Sequence, residues 1–274
     1  RFSMYCCCYG RAVKLKVSVT DDDEKELSSN VTEVKGDGWE QYRCVFVPNS
    51  TTFKGRLKIQ FLGAGKISFD HVSMFPKDTY RQKENGLRAD IAGMLEDLKP
   101  KFMRFPGVHD GSLNADDRDS LYRWKNTIGD VTKRPARRSN WGYNQTLGLG
   151  YYEYFCFSEE IGAKPLPVLP GGYNPHRQIS VPLSEIGEWV QEALELIEFA
   201  NGDETTEWGK VRAELGHPSP FNLEYIAIGN EEVGEAFFER YPFFHKAIKE
   251  KYPDIKIIGT SGPFAAGGEF ERGW

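Results

Sequence analysis

Apolar and polar residues alternate along Val13-Lys14-Leu15-Lys16-Val17-Ser18-Val19, the two-residue period of a strand with one buried face. The acidic run Asp21-Asp22-Asp23-Glu24 that follows reads as a solvated turn. Further strands are expected over residues 42–47, 56–61 and 66–74, separated by Gly, Pro and Asn punctuation. Residues 1–10 read as the middle of a strand, which predicts that the natural N-terminus lies upstream. Short strands at this spacing predict an antiparallel β-sandwich over residues 1–80.

Past Pro76-Lys77-Asp78-Thr79-Tyr80 the period changes. Helical spacing over residues 90–98 stops at Pro100, and an apolar run over 101–105 ends at Pro106-Gly107. A helix over 153–161 ends at Gly162, and a strand over 165–169 closes with Gly171-Gly172. The spacing over 186–200 is strongly helical, with Asn201-Gly202 as its stop. A strand over 223–228 runs into Gly229-Asn230-Glu231, a helix covers 241–250, and a last strand covers 255–258. Alternation of strand and helix predicts parallel strands with helices outside them, an α/β domain over residues 81–274. Four such strands cannot close an eight-stranded barrel. They form either a smaller open sheet or part of a (β/α)8 TIM barrel.

The 274 residues carry a formal charge of −5 and hold no long basic run, which argues against nucleic acid or a lipid surface as partner. No stretch approaches the roughly 18–20 apolar residues of a membrane span. Aromatic residues make up 14 %, a fraction that suits stacking on sugar rings and equally suits core filling. Trp39 is expected in the core. The five cysteines, Cys6, Cys7, Cys8, Cys44 and Cys156, match no metal-ligand spacing and read as buried or reduced thiols. With no Gly-rich phosphate loop and no metal-ligand cluster in the sequence, no cofactor is expected.

In βα barrels the chemistry sits at the carboxyl ends of the strands. Here those ends are Arg104-Phe105-Pro106-Gly107, Leu169-Pro170-Gly171-Gly172, Gly229-Asn230-Glu231 and Thr260-Ser261-Gly262. The third sets an amide and a carboxyl at the rim of an apolar strand. Glycosidic cleavage needs one carboxylic acid to protonate the leaving oxygen, and in retaining enzymes a second carboxylate about 5 Å away attacks the anomeric carbon.

The run from Asn201 to Pro263 resembles glycoside hydrolase family 51, the α-L-arabinofuranosidases. The resemblance is carried by Asn201-Gly202-Asp203, Trp208-Gly209, Gly216-His217-Pro218, Ile228-Gly229-Asn230-Glu231 and Tyr252-Pro253-Asp254, and upstream by Arg104-Phe105-Pro106-Gly107, Arg123-Trp124-Lys125 and Trp141-Gly142-Tyr143. It covers essentially all of residues 81–263. It implies barrel strands two to five, with strand one before Arg1 and the nucleophile beyond Trp274. The sandwich resembles the carbohydrate-binding-like module that the family's longer bacterial and plant-type members insert after the first strand. Residue by residue, the resemblance makes Glu231 the general acid/base and Asn230 a contact to the sugar 2-hydroxyl. Trp141 becomes a pocket wall, and Arg104 the support of the catalytic carboxylates. One departure stands out: where the family has a second Gly followed by Asn or Cys, this chain has Val108-His109-Asp110-Gly111, so His109 is a candidate substrate contact.

The expected activity is release of terminal α-L-arabinofuranosyl residues, with retention, from hemicellulose or pectin polysaccharides or oligosaccharides that contain arabinose. The 274 residues alone are expected to be inactive. The alternatives are a carbohydrate-binding module beside an inert partial barrel, and a related barrel glycosidase acting on another sugar. Glu232, the rival carboxyl one residue on, is expected to leave the pocket. His217 reads as a loop-ordering residue, and Arg137-Arg138 as a solvated pair. Asp70 and His71 fit strand packing as well as a calcium or sugar contact. Compartment and oligomeric state stay open, with an extracellular or periplasmic location and an oligomer both admissible.

Overall fold

A computed structural model describes residues 1–106, 122–138, 142–175, 177–262 and 264–274. The chain divides into two units, Arg1–Met94 and Leu95–Trp274. The sequence places its boundary at residue 80; the units part later, within helix α1 (Ala89–Asp97).

In the first unit, β1 (Phe2–Cys8), β2 (Val13–Thr20), β3 (Glu26–Val34), β4 (Glu40–Cys44), β5 (Arg56–Phe61) and β6 (Ile67–Met74) form two antiparallel sheets, ordered β4-β1-β6 and β3-β2-β5. Alternation decides what each buries. Phe2, Met4, Cys6 and Cys8 of β1 meet Val13, Leu15 and Val17 of β2 and Val34 of β3 in one core. Cys7 points the other way, and its thiol lies 3.4 Å from the Asp37 carbonyl oxygen. All five cysteines are free thiols, and burial pushes the Cys6 thiol up to about 11, away from thiolate reactivity. The acidic turn joins β2 to β3, with the Asp21 carboxylate accepting from the Asp23 and Lys25 amides.

Three readings of this unit need correction or addition. Strand β3 escapes the pattern because only Leu27 and Val34 of its nine residues are buried. Trp39 is 54 % exposed and is no core anchor. The 42–47 strand lies earlier, over Glu40–Cys44. Asp70 accepts from the His71 amide at 2.7 Å, where β6 shifts register against β1 and His71 takes a positive φ of 47°. The His71 ring meets Tyr5 of β1 edge-on, while Asp70 is exposed.

The second unit holds β7 (Phe102–Phe105), a short ladder of β8 (Arg137–Arg138) with β9 (Asn144–Gln145), α2 (Tyr151–Glu160), β10 (Lys164–Leu169), a ladder of β11 (Tyr173–Asn174) with β12 (Ile179–Ser180), α3 (Ile186–Asn201), α4 (Glu207–Glu214), β13 (Tyr225–Ile228), α5 (Glu235–Lys251), β14 (Lys256–Ile258) and α6 (Gly268–Gly273). Strands β7, β10, β13 and β14 pair in parallel in chain order. Met103 and Phe105, Leu169, and Ile226 and Ile228 turn to the helix side, into a core with Tyr151, Phe155, Leu196, Phe199, Phe237 and Phe244. The intervening Leu166, Val168 and Ala227 form a second apolar cluster on the opposite face. Both faces of the sheet are therefore apolar, as parallel sheets require.

Helices α4, α5 and α6 differ from expectation, no helix being expected over Gly268–Gly273. Helix α5 begins at Glu235, ahead of the expected start at residue 241, and carries Pro242 inside it. Helix α4 was not expected; Thr206 caps it by accepting from the Gly209 amide. Its Arg212, fully buried, donates to the carbonyls of Phe199, His217 and Pro218 at 2.8–2.9 Å and so ties α3 to the loop before β13. His217 sets its ring nitrogens 2.7 Å from the Ser219 carbonyl oxygen and 2.8 Å from the Glu159 carboxylate, stacked on Phe221. It orders a loop, as the sequence reading has it.

Candidate active site

The apolar strand β13 delivers Gly229-Asn230-Glu231-Glu232 at its carboxyl end. Gly229 has a φ of +87°, and a Cβ there would meet the Phe237 ring at 2.8 Å and the Thr260 methyl at 3.1 Å. Only glycine fits this turn. The Gly229 amide donates to the Leu169 carbonyl at 2.8 Å, the last bond between the two strands before the chain turns.

Asn230 is buried, and its side-chain oxygen accepts from the Arg104 guanidinium. Arg104 lies between Met103 and Phe105 on β7, so it projects from the face away from the helices. Strand β10 lies between β7 and β13, and the Arg104–Asn230 bond spans it. Glu231 is exposed and holds a positive φ of 54°, a conformation that costs a side-chain residue roughly 1–2 kcal/mol.

Glu232 turns into the protein and is 2 % exposed. Its carboxylate accepts from the Gly171 amide at 2.8 and 3.0 Å and from the Tyr173 amide at 3.1 Å. Burial pushes this carboxyl up to about 8, while the amides of Gly171, Tyr173 and Asn230 pull it down. A carboxyl that keeps its proton near neutral pH would suit a general acid. Geometry rejects that role, because the group is enclosed and its oxygens already serve backbone amides. Among the described residues, no group of three or more His, Cys, Asp and Glu could hold a metal ion.

The Alpha-L-arabinofuranosidase 1 domain profile matches residues 94–269. The structure of an arabinose-bound GH51 α-L-arabinofuranosidase superposes with a TM-score of 0.82 at 30 % identity, over 94 % of this chain and 43 % of that one. The chain belongs to the α-L-arabinofuranosidases of glycoside hydrolase family 51. An extracellular exo-α-L-arabinofuranosidase of Streptomyces chartreusis is 43 % identical over 97 % of this chain and 33 % of its own length. α-L-Arabinofuranosidase 2 of Arabidopsis thaliana is 39 % identical over 85 % of this chain and 34 % of its own. The family 51 chain thus spans about a third of the length of these curated relatives.

Of the residues singled out in this arabinofuranosidase family chain, the structure bonds Arg104 to Asn230, and Glu231 follows in the chain as an exposed residue. Trp141 and His109 lie outside the described residues. The role of Glu232 was missed. Nothing in the local sequence separates it from Glu231, because the turn that sends the two side chains apart depends on the left-handed backbone at Glu231. The burial also has a measurable consequence. An unfolded chain releases this proton near 4.5, whereas the fold retains it to about 8. Between those values the folded state binds more protons, so stability is full below the window and falls as pH rises through it. Urea unfolding across that window should show this slope, and Glu232→Gln should flatten it. An identical slope in the variant would assign it to another group.

Proposed function

We propose that the protein containing this chain is a retaining α-L-arabinofuranosidase acting on arabinose-containing hemicellulose or pectin polysaccharides. Glu231 is its general acid/base. In the first step Glu231 protonates the glycosidic oxygen as the bond to the anomeric carbon breaks, and a second carboxylate bonds to that carbon. In the second, Glu231 takes a proton from water as that water attacks the same carbon and releases the carboxylate. Asn230 meets the sugar 2-hydroxyl, and Arg104 holds Asn230 in place. The four parallel strands are part of a (β/α)8 barrel, and residues 1–80, within the first unit, are a carbohydrate-binding-like sandwich. An extracellular location suits a polysaccharide substrate and is the one named for the Streptomyces relative.

One observation carries this reading: in a family 51 chain, an exposed carboxylate ends an apolar parallel strand beside a buried amide held by an arginine from two strands away. The test is a panel of aryl glycosides and arabinose-containing polysaccharides given to the full-length protein, with the anomer first released followed by NMR. The α-L-arabinofuranoside should be cleaved fastest, with retention. Faster cleavage of another sugar, or an inverted product, would sink the proposal.

A further inference from the structure

Two adjacent glutamates end β13 and go opposite ways. Glu231 faces solvent, while Glu232 is enclosed beside Phe237 and bonded to the loop that follows β10. The fit there is close. A Cβ on Gly171 would lie 2.8 Å from the Glu232 carboxylate and 2.5 Å from the Phe237 ring. An apolar side chain in place of Glu232 would leave the Gly171 and Tyr173 amides without this acceptor, a costly arrangement inside a protein. On the other side of Glu231, Asn230 is tied to Arg104. The backbone of Glu231 is therefore pinned before and after, in a φ that a glutamate does not favour when free.

We infer that Glu232 is the positioning residue of the site: by clamping the β10 loop it fixes the turn that aims Glu231 out of the strand end. This rests on the reading of Glu231 as the general acid/base. Proton donation is sensitive to aim, and a misplacement of about 1 Å can cost on the order of 100-fold. Glu232 never meets substrate. Its effect passes through the direction of its neighbour.

Leaving-group dependence separates this from a merely structural role. In the full-length protein, kcat/KM would be measured for aryl α-L-arabinofuranosides whose phenols differ in acidity, in Glu231→Ala, Glu232→Ala and Glu232→Gln. A poor leaving group needs its proton; a good one does not. Glu232→Ala should lose about 10- to 100-fold on the poor leaving group and much less on the good one, the same skew as Glu231→Ala but smaller. Glu232→Gln, which keeps one accepting oxygen for both amides, should recover most of the loss. Equal loss on every leaving group, tracking the folded fraction by circular dichroism, would overturn the inference and leave the acid/base reading intact. Full activity in Glu231→Ala would overturn that reading and the inference with it. Should Glu232→Ala fail to fold, the same comparison in Glu232→Gln decides the matter, an unskewed loss counting against it.

Discussion

Glu231→Ala in the full-length protein is expected to lower kcat/KM on an aryl α-L-arabinofuranoside with a poor leaving group by about 10²- to 10⁴-fold, the usual contribution of a placed general acid/base. The substitution removes both the proton that leaves with the aglycone and the base that activates water. A substrate with a good leaving group bypasses the first need, so only the second step stays slow. Azide needs no base and should restore turnover of that substrate, yielding the arabinofuranosyl azide with retained configuration. The side chain is exposed, so circular dichroism should show the variant folded. Loss of activity together with unfolding, or activity that azide cannot restore, would assign Glu231 another role.

Arg212→Ala should be the most destabilising single change in the second unit. The guanidinium is fully buried and donates to three backbone carbonyls from two separate segments. Truncation leaves all three acceptors without this donor and opens a void where the buried side chain lay. A loss of about 3–5 kcal/mol is expected, which for a domain of this size lowers Tm by roughly 6–20 °C. Differential scanning calorimetry would read it. Arg212→Lys should not rescue, because one ammonium cannot reach three diverging carbonyls as a planar fork does. A fall in Tm of less than about 1 °C would show that the bonds are replaced by solvent.

Much of the fold could be read in the pattern of the chain, and the exceptions have physical causes. Strand β2 alternates cleanly because one of its faces is core. Strands β10 and β13 read as short apolar runs because both faces of their sheet are apolar. Strand β3 was invisible because it buries only two residues. Helix α4 buries little beyond Gly209 and Arg212, neither of which a hydrophobic period can register. For the site, the pattern supplied a strand end, and the resemblance supplied the roles of Glu231, Asn230 and Arg104. The bond between Arg104 and Asn230 joins residues 126 positions apart, beyond any local rule. The clamp made by Glu232 was hidden for another reason: a glutamate inside an apolar unit contradicts composition rules until the backbone amides it serves are seen.

The opposed glutamates make this stretch sensitive to length. Inserting or deleting one residue between Ile228 and Gly234 would break the match between the left-handed turn at Glu231 and the bonds that hold Asn230 and Glu232 on either side of it. Two residues that look interchangeable in the sequence are set apart by the turn between them. Along this short turn, the spacing is as much a part of the chemistry as the side chains it carries.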